Sequence, residues 1–226
     1  MKPDRPSETV EDYLQLIYTM RREGMPVIAA RVKERKGVSA PTAWATLKRM
    51  ERDGLVTLAP DHHIDLSAQG QEMAESIIRR HMLAERLLTD ILKLDWADVH
   101  DEAHHVEHAI SPLIEKQIQA LLDTPQTCPH GNPIPGLASD KPSTAFALRQ
   151  AKEGESLIVN NIAEHAEDDA ALMHYLERNH LIPGTRLTVD EVALSNATIT
   201  VSLVDHGAQK VAVGLPTADL ILVRPE

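Results

Sequence analysis

Cysteine is almost absent from this chain of 226 residues, where Cys128 stands alone. One thiol cannot close an intramolecular disulfide, so no disulfide framework holds the fold, and the composition suits a reducing compartment. Aromatic residues make up only 3% of the chain, with a single phenylalanine, so a core must be assembled from aliphatic side chains. No apolar run approaches the roughly 18 residues of a membrane span. The start, MKPDRPSETVEDYLQ, lacks the apolar stretch of a signal peptide. Internal repeats and low-complexity tracts are missing as well. The expectation is a soluble, cytoplasmic protein with no membrane partner.

Positive charge is also in deficit: 23 basic against 34 acidic side chains, a net of −11. That total argues against a nucleic-acid partner until it is mapped along the chain. Residues 1–66 hold 11 basic and 10 acidic side chains, so the acidity belongs to the remainder. Within residues 31–52, seven basic side chains face two acidic ones, a local +5. Phosphate binding needs a local basic face and tolerates an acidic whole.

Helical signals fill the first part of the chain. SETVEDYLQLIYTM offers Ser7 as a cap, acidic residues in the first turn, and Val10, Leu14 and Ile17 on one stripe. VIAARVKERKG reads as a short helix stopped by Gly37. SAPTAWATLKRMERDG reads as another, begun at Ser39 or Ala40, with Pro41 in its first turn and Gly54 at its end. Two short strands around a turn at 60–63 follow. Ser67 caps an expected long helix from 68 to 92, with apolar positions at Met73, Ile77, Leu88, Ile91 and Leu92. ADVHDEAHHVEHAI is a further helix, and Ser111-Pro112 opens one more. CPHGNPIPG must be a turn-rich loop. Beyond residue 155, the runs SLIVNNI, TRLTVDEV, TITVSLV, KVAVGL and LILVRP, interrupted by a helix near 168–178, suggest a small β-barrel. The expected class is therefore α+β, with units at 1–72, 73–140 and 153–226 and a linker at 141–152.

Two short helices joined by KGVSA and followed by a two-stranded wing make a winged helix-turn-helix. Its recognition helix would present Ser39, Ala40, Pro41 and Thr42 to the major groove, where small side chains permit close approach to bases. Arg31, Lys48, Arg49 and Arg52 are candidates for phosphate contacts.

A second constellation lies in HDEAHHVEH. On a helix, His100, His104, Glu107 and His108 share one face, and His105 points elsewhere. In the preceding helix His81 and Glu85 stand one turn apart on its apolar side. Such groups need partners when buried, and facing helices that each donate imidazole and carboxylate suit a divalent first-row metal. A polar seam of His–Glu hydrogen bonds is the plain alternative. His104 to His108 also match H-x-x-E-H, in which two histidines bind zinc and the glutamate is a general base. A metal-dependent hydrolase is thus a competing reading, and a metal-independent DNA-binding protein a third.

EDYLQLIY, APTAWATLKRMERDGLV, RRHMLAERLLTDIL, VHDEAHHVEH and GNPIPG together resemble the diphtheria-toxin-repressor family of metal-dependent transcriptional regulators, over essentially the whole chain. The resemblance implies a metal-activated homodimer that binds an operator in double-stranded DNA, represses metal-homeostasis genes, carries an SH3-like C-terminal barrel and is not an enzyme. It also implies two metal sites per subunit. One would use Asp12, His104, Glu107 and His108. The other would use His81, Glu85 and His100, with Glu164 and Glu167 from the barrel. Iron-responsive members carry Met and Cys where this chain has Asp12 and His104. The harder ligands favour Mn²⁺, with Fe²⁺ as the alternative. Glu167 replaces a neutral amide. Trp44 and Ala45 stand where polar residues are usual, so base preference does not carry over. Cys128 and His130 fall in what the family uses as a structural loop and are expected to bind nothing.

Overall fold

The computed structural model describes residues 6–60, 63–138 and 144–226. The first unit holds helices α1 (Glu8–Arg22), α2 (Ala29–Arg35) and α3 (Ala40–Arg52), then strands β1 (Val56–Leu58) and β2 (Ile64–Leu66). The strands pair antiparallel, Val56 opposite Leu66. Residues 61 and 62 of the expected turn lie outside the described residues. The apolar stripe of α1 is buried as its spacing predicts: Leu14 and Ile17 are fully covered and Val10 nearly so, against Leu47 and Met50 of α3. Ser39 caps α3 by accepting from the Thr42 amide, and Gly54 leaves it at φ +77°.

Helix α4 (Ala68–Arg86) runs on into a widened turn over Leu87–Ile91. Ser67 caps it, accepting from the Gly70 amide at 3.0 Å. The widened turn shifts the phase of the last residues. Ile91 and Leu92, expected inside, are 46% and 59% exposed instead. Helix α5 (Val99–Val106) is shorter than the pattern suggested. Val106 leaves the helix at φ −111°, and Glu107–Ala109 form a tighter turn. Helix α6 is Pro112–Leu121. The core of this second unit contains Ile77, Ile78, Met82, Leu83 and Val99.

The C-terminal unit is an antiparallel six-stranded sheet, ordered β3-β8-β4-β5-β6-β7. Its strands are β3 (Phe146–Ala147), β4 (Ser156–Ile162), β5 (Arg186–Ala193), β6 (Thr198–Leu203), β7 (Gln209–Gly214) and β8 (Ile221–Pro225). Helices α7 (Ala170–Arg178) and α8 (Leu215–Ala218) interrupt it. Alternate residues such as Ile199, Val201 and Leu203 fill its core. Register shifts after Val159 and Val189 are bulges that let the sheet curve toward closure. The expected linker 141–152 is a correction: Phe146 pairs with Val223 and Leu148 is fully buried, so the chain has entered the barrel by 146. A two-residue strand without alternation gives no pattern to read. The fold as a whole is α+β, as expected.

Gly70 marks where α4 meets the wing. A Cβ there would lie 1.9 Å from the Leu55 carbonyl oxygen, backbone that cannot swing aside and that also accepts from the Ser67 amide. Gly70→Ala should therefore destabilise the fold by about 1–3 kcal/mol, the usual cost of overpacking. It should lower the urea midpoint with an unchanged slope; an unaltered midpoint would show that the contact relaxes freely.

Candidate metal centre

Two elements converge on a first cluster. Asp12 comes from α1, and Glu107 and His108 come from the turn that ends α5. Each offers a ligand atom within 4.8 Å of the others. His108 Nε2 lies 3.3 Å from Asp12 Oδ1 and 3.4 Å from Glu107 Oε1. The break at Val106 rotates Glu107 inward, where it is fully buried. His104 Nδ1 reaches Glu107 Oε1 at 3.3 Å, so all four residues expected for one site adjoin. The other ring nitrogen of His108 lies 2.7 Å from Glu11 Oε2, and Arg80 donates to Glu11 Oε1 at 3.0 Å. This carboxylate fixes the ring and its tautomer, as partners of metal-binding histidines do. Asp12 Oδ2 accepts from Lys36 Nζ at 3.3 Å.

A second cluster lies deeper. Glu85 of α4, His100 of α5 and Glu167 of the barrel come together, all buried. His100 Nδ1 is 3.1 Å from both Glu85 Oε1 and Glu167 Oε2. Cys128 and His130, expected to bind nothing, are buried here too and group with Glu85. His130 Nδ1 is 3.2 Å from Glu167 Oε2 and 3.4 Å from Glu85 Oε1. The signal was the C-x-H pair itself, but it lies about forty residues from Glu85 and nothing local connects them. Gly131, at φ +87°, makes the approach possible, since a Cβ would meet the Asn160 carbonyl at 2.2 Å. Asn132 then donates to Glu167 Oε1 at 2.7 Å and steers that carboxylate.

His81 belongs to both clusters. Its Nδ1 donates to Glu107 Oε2 at 2.5 Å, and its Nε2 lies 3.1 Å from Glu85 Oε1. Burial alone would discharge this imidazole. Glu85 and Glu107 outweigh burial and raise it to about 9. Burial pushes Glu107 up, but the hydrogen bonds from His104 and His81 bring it down to about 2. Burial and Glu85 drive the Cys128 thiol up to about 12, so it keeps its proton unless a cation displaces it.

Both clusters fit a divalent metal. Two ligands at about 2.1 Å from one ion stand at most about 4.2 Å apart, close to the separations found. Among the described residues Glu85 Oε2 is buried without a hydrogen bond, and His100 Nε2 and His130 Nδ1 have only carboxylate contacts, at 3.4 Å to Asp168 and 3.2 Å to Glu167, an arrangement for which a bound ion is one explanation. Glu164, expected in the second set, is not brought to it. Its carboxylate accepts from Thr19 at 2.8 Å and from Arg22, both of α1. A permanent cation thus neutralises Glu164 away from the histidines.

The expected DNA-contacting residues are all at the surface of the first unit. Arg31, Ser39, Ala40, Pro41, Thr42, Lys48, Arg49 and Arg52 are exposed, whereas Ala43, Leu47 and Met50 of α3 turn inward. The H-x-x-E-H reading meets a different fate. Glu107 is buried and held by two histidines, and the helix that the motif needs stops before it.

Residues 6–64 match the family model "Iron dependent repressor, N-terminal DNA binding domain", and residues 67–136 match "Iron dependent repressor, metal binding and dimerisation domain". Residues 146–225 match the FeoA domain. The iron-dependent repressor IdeR of Mycobacterium leprae is 37% identical over 204 residues, covering 86% of this chain and 89% of the relative. The diphtheria toxin repressor of Corynebacterium efficiens is 36% identical over 218 residues, covering 91% and 95%. A manganese-dependent transcriptional repressor solved in complex with manganese superposes with a TM-score of 0.86 at 30% identity, covering 96% of this chain and all of that one.

The pH dependence of the metal-free protein in the neutral range follows from the buried histidines His81, His100 and His130, each held above the ordinary imidazole value, against burial, by neighbouring carboxylates. His81, raised to about 9, contributes stability fully present below its ordinary value of 6.5 and lost as pH rises through 9. Glu107, lowered to about 2, contributes above its ordinary value of 4.5, so it is constant over that range. In chelator the unfolding free energy should fall between pH 6.5 and 9.5, by on the order of 3 kcal/mol from His81, with His100 and His130 acting in the same direction. A flat or rising stability would mean that these histidines are neutral in the fold.

Proposed function

The chain belongs to the iron-dependent and diphtheria-toxin repressor family of metal-dependent transcriptional repressors, and on that premise we propose that it is a homodimeric repressor activated by Mn²⁺. The observation that carries this reading is the convergence of Asp12, Glu107 and His108, with His104 adjoining. Asp12 belongs to the DNA-binding unit and the others to the unit whose model is named for metal binding and dimerisation. A divalent cation supplies the positive charge that holds these carboxylates together. The chain does the rest: α1 is fastened to the dimer body, and the spacing of the two recognition helices is set to match half-sites on the duplex.

Carboxylate and imidazole donors suit Mn²⁺, and neither Met nor Cys is in the first cluster. The relative solved with manganese supports the same choice. A second ion would be held by Glu85, His100, Glu167 and His130, with His81 beside them. Cys128 there is the one soft donor, and it favours Fe²⁺ in that position. Ile91, Leu92, Val106, Leu113, Ile114 and Leu121 are exposed apolar side chains on the dimerisation unit, and we assign them to the subunit interface. Helix α3 would enter the major groove, with Arg31, Lys48, Arg49 and Arg52 on phosphates.

Duplex binding titrated with Mn²⁺, Fe²⁺ and Zn²⁺ under reducing, anaerobic conditions tests the proposal. Mn²⁺ should activate at the lowest free concentration. Glu107→Gln should shift that requirement upward by at least about tenfold while leaving the dimer assembled. Unchanged metal dependence in Glu107→Gln would remove the first cluster from the switch.

Salt dependence tests the docking. Arg49→Ala should weaken binding to operator and random duplex alike. In each subunit it should reduce the slope of log K against log salt by about 0.9 for every phosphate that Arg49 neutralises. A slope that does not move would make the basic face mere solvated surface.

A further inference from the structure

We propose that Trp44 reads sequence, by apolar contact of its indole with the 5-methyl groups of thymines in the major groove. The inference rests on the DNA-binding reading above and adds a specificity residue to it. The chain has two tryptophans, three tyrosines and one phenylalanine, and Trp44 is the only one of them that is exposed, at 42%. An indole left in water at the middle of an amphipathic helix is unfavourable unless something covers it in the working state.

Its neighbours say what covers it. Pro41, Trp44, Ala45 and Lys48 fall on one arc of α3, opposite the buried Ala43, Leu47 and Met50. Lys48, Arg49 and Arg52 make that side basic, which matches the phosphates flanking a groove. The arc offers little polar readout. The Ser39 hydroxyl accepts from the Thr42 amide and pairs with the Thr42 hydroxyl at 2.7 Å, so both serve the helix cap. Lys48 Nζ stands 5.0 Å from the Trp44 ring centroid and 2.9 Å from Glu51 Oε2, which holds the ammonium over the ring and orients the indole. Among the groups on the floor of the major groove, the thymine methyl is the apolar one. Trp44 and Ala45 therefore present an apolar surface to the only apolar feature of the bases.

The test uses the full-length protein loaded with Mn²⁺ and duplexes selected from a random-sequence pool. The wild type should select thymine at one or more positions in each half-site. Replacing such a thymine by uracil removes only the methyl group, and should weaken wild-type binding about fourfold per methyl. Trp44→Ala should bind the thymine and uracil duplexes equally, and Trp44→Phe should keep part of the penalty. Because the side chain is exposed, Trp44→Ala should unfold at the wild-type urea concentration, which separates a failure of readout from a failure of folding. Equal uracil penalties in wild type and Trp44→Ala, or no penalty at any selected thymine, would overturn the assignment. If the wild type binds no duplex with metal present, the DNA-binding reading itself fails and takes this one with it.

Discussion

One buried imidazole holds the interior of this protein in its present arrangement. His81 lies between Glu107 on one side and Glu85 on the other, and each carboxylate belongs to a different ligand cluster. The side chain has no route to water, so its charge and theirs must cancel locally. It follows that the clusters are not independent. Any change in the proton on His81 Nε2 alters what its Nδ1 can donate to Glu107. An ion taken up by the deeper cluster would therefore act on the outer one through a single ring.

The need for such a device is visible in the packing. Among the described residues there are three apolar cores rather than one, and ion pairs lie between them. The winged helix leans on α4 through α1, where Glu11 and Arg80 form a buried ion pair. The barrel is pinned by Trp96, whose ring enters the barrel core while its Nε1 donates to the Pro129 carbonyl. Around Glu164 to Asp168 the barrel also touches the end of α1, through Arg22 with Glu164 and Glu23 with His165, and α2, through Arg35 with Asp168. Apolar burial fixes each unit. Charge fixes their mutual position, and charge is what a cation can reset.

The elements were legible wherever one period persisted over several turns or one alternation over several strands. The stripe of α1, the caps at Ser39, Ser67 and Ser111, and the five longer strands of the barrel all stand where their patterns place them. Periodicity fails where geometry changes inside a segment. The widened turn after Arg86 exposes Ile91 and Leu92, and the end of α5 at Val106 turns Glu107 inward in a way that a uniform helix does not describe. The helical members of the two clusters can be named from spacing because they share elements. Asp12 and Glu167 could not, because the chain brings them in from other units, and they rested on resemblance. Cys128 and His130 escaped both arguments: their loop reads as structural, and only folding sets it against Glu85. Glu164, expected among the ligands, lies instead against Arg22 and Thr19 of α1, a placement no local pattern announces.

Counting charge separates two ways in which a metal could favour DNA. One is to reduce the chain's negative charge. One or two divalent ions move the net of −11 by two or four units, which leaves every subunit acidic. Global neutralisation is therefore too small to bring the protein to a polyanion. The local excess of +5 over residues 31–52 is present with or without metal, and at physiological salt it is screened from the acidic bulk beyond about 8 Å. Attraction is thus built in, and what remains for a cation to change is position. Asp12 lies in the helix that packs beneath the recognition helix, and its other partner is Lys36, at the end of α2 and one turn before α3. A ligand so placed would move with α3, so a small displacement at the cluster would reach α3 across one short turn without any lever between them.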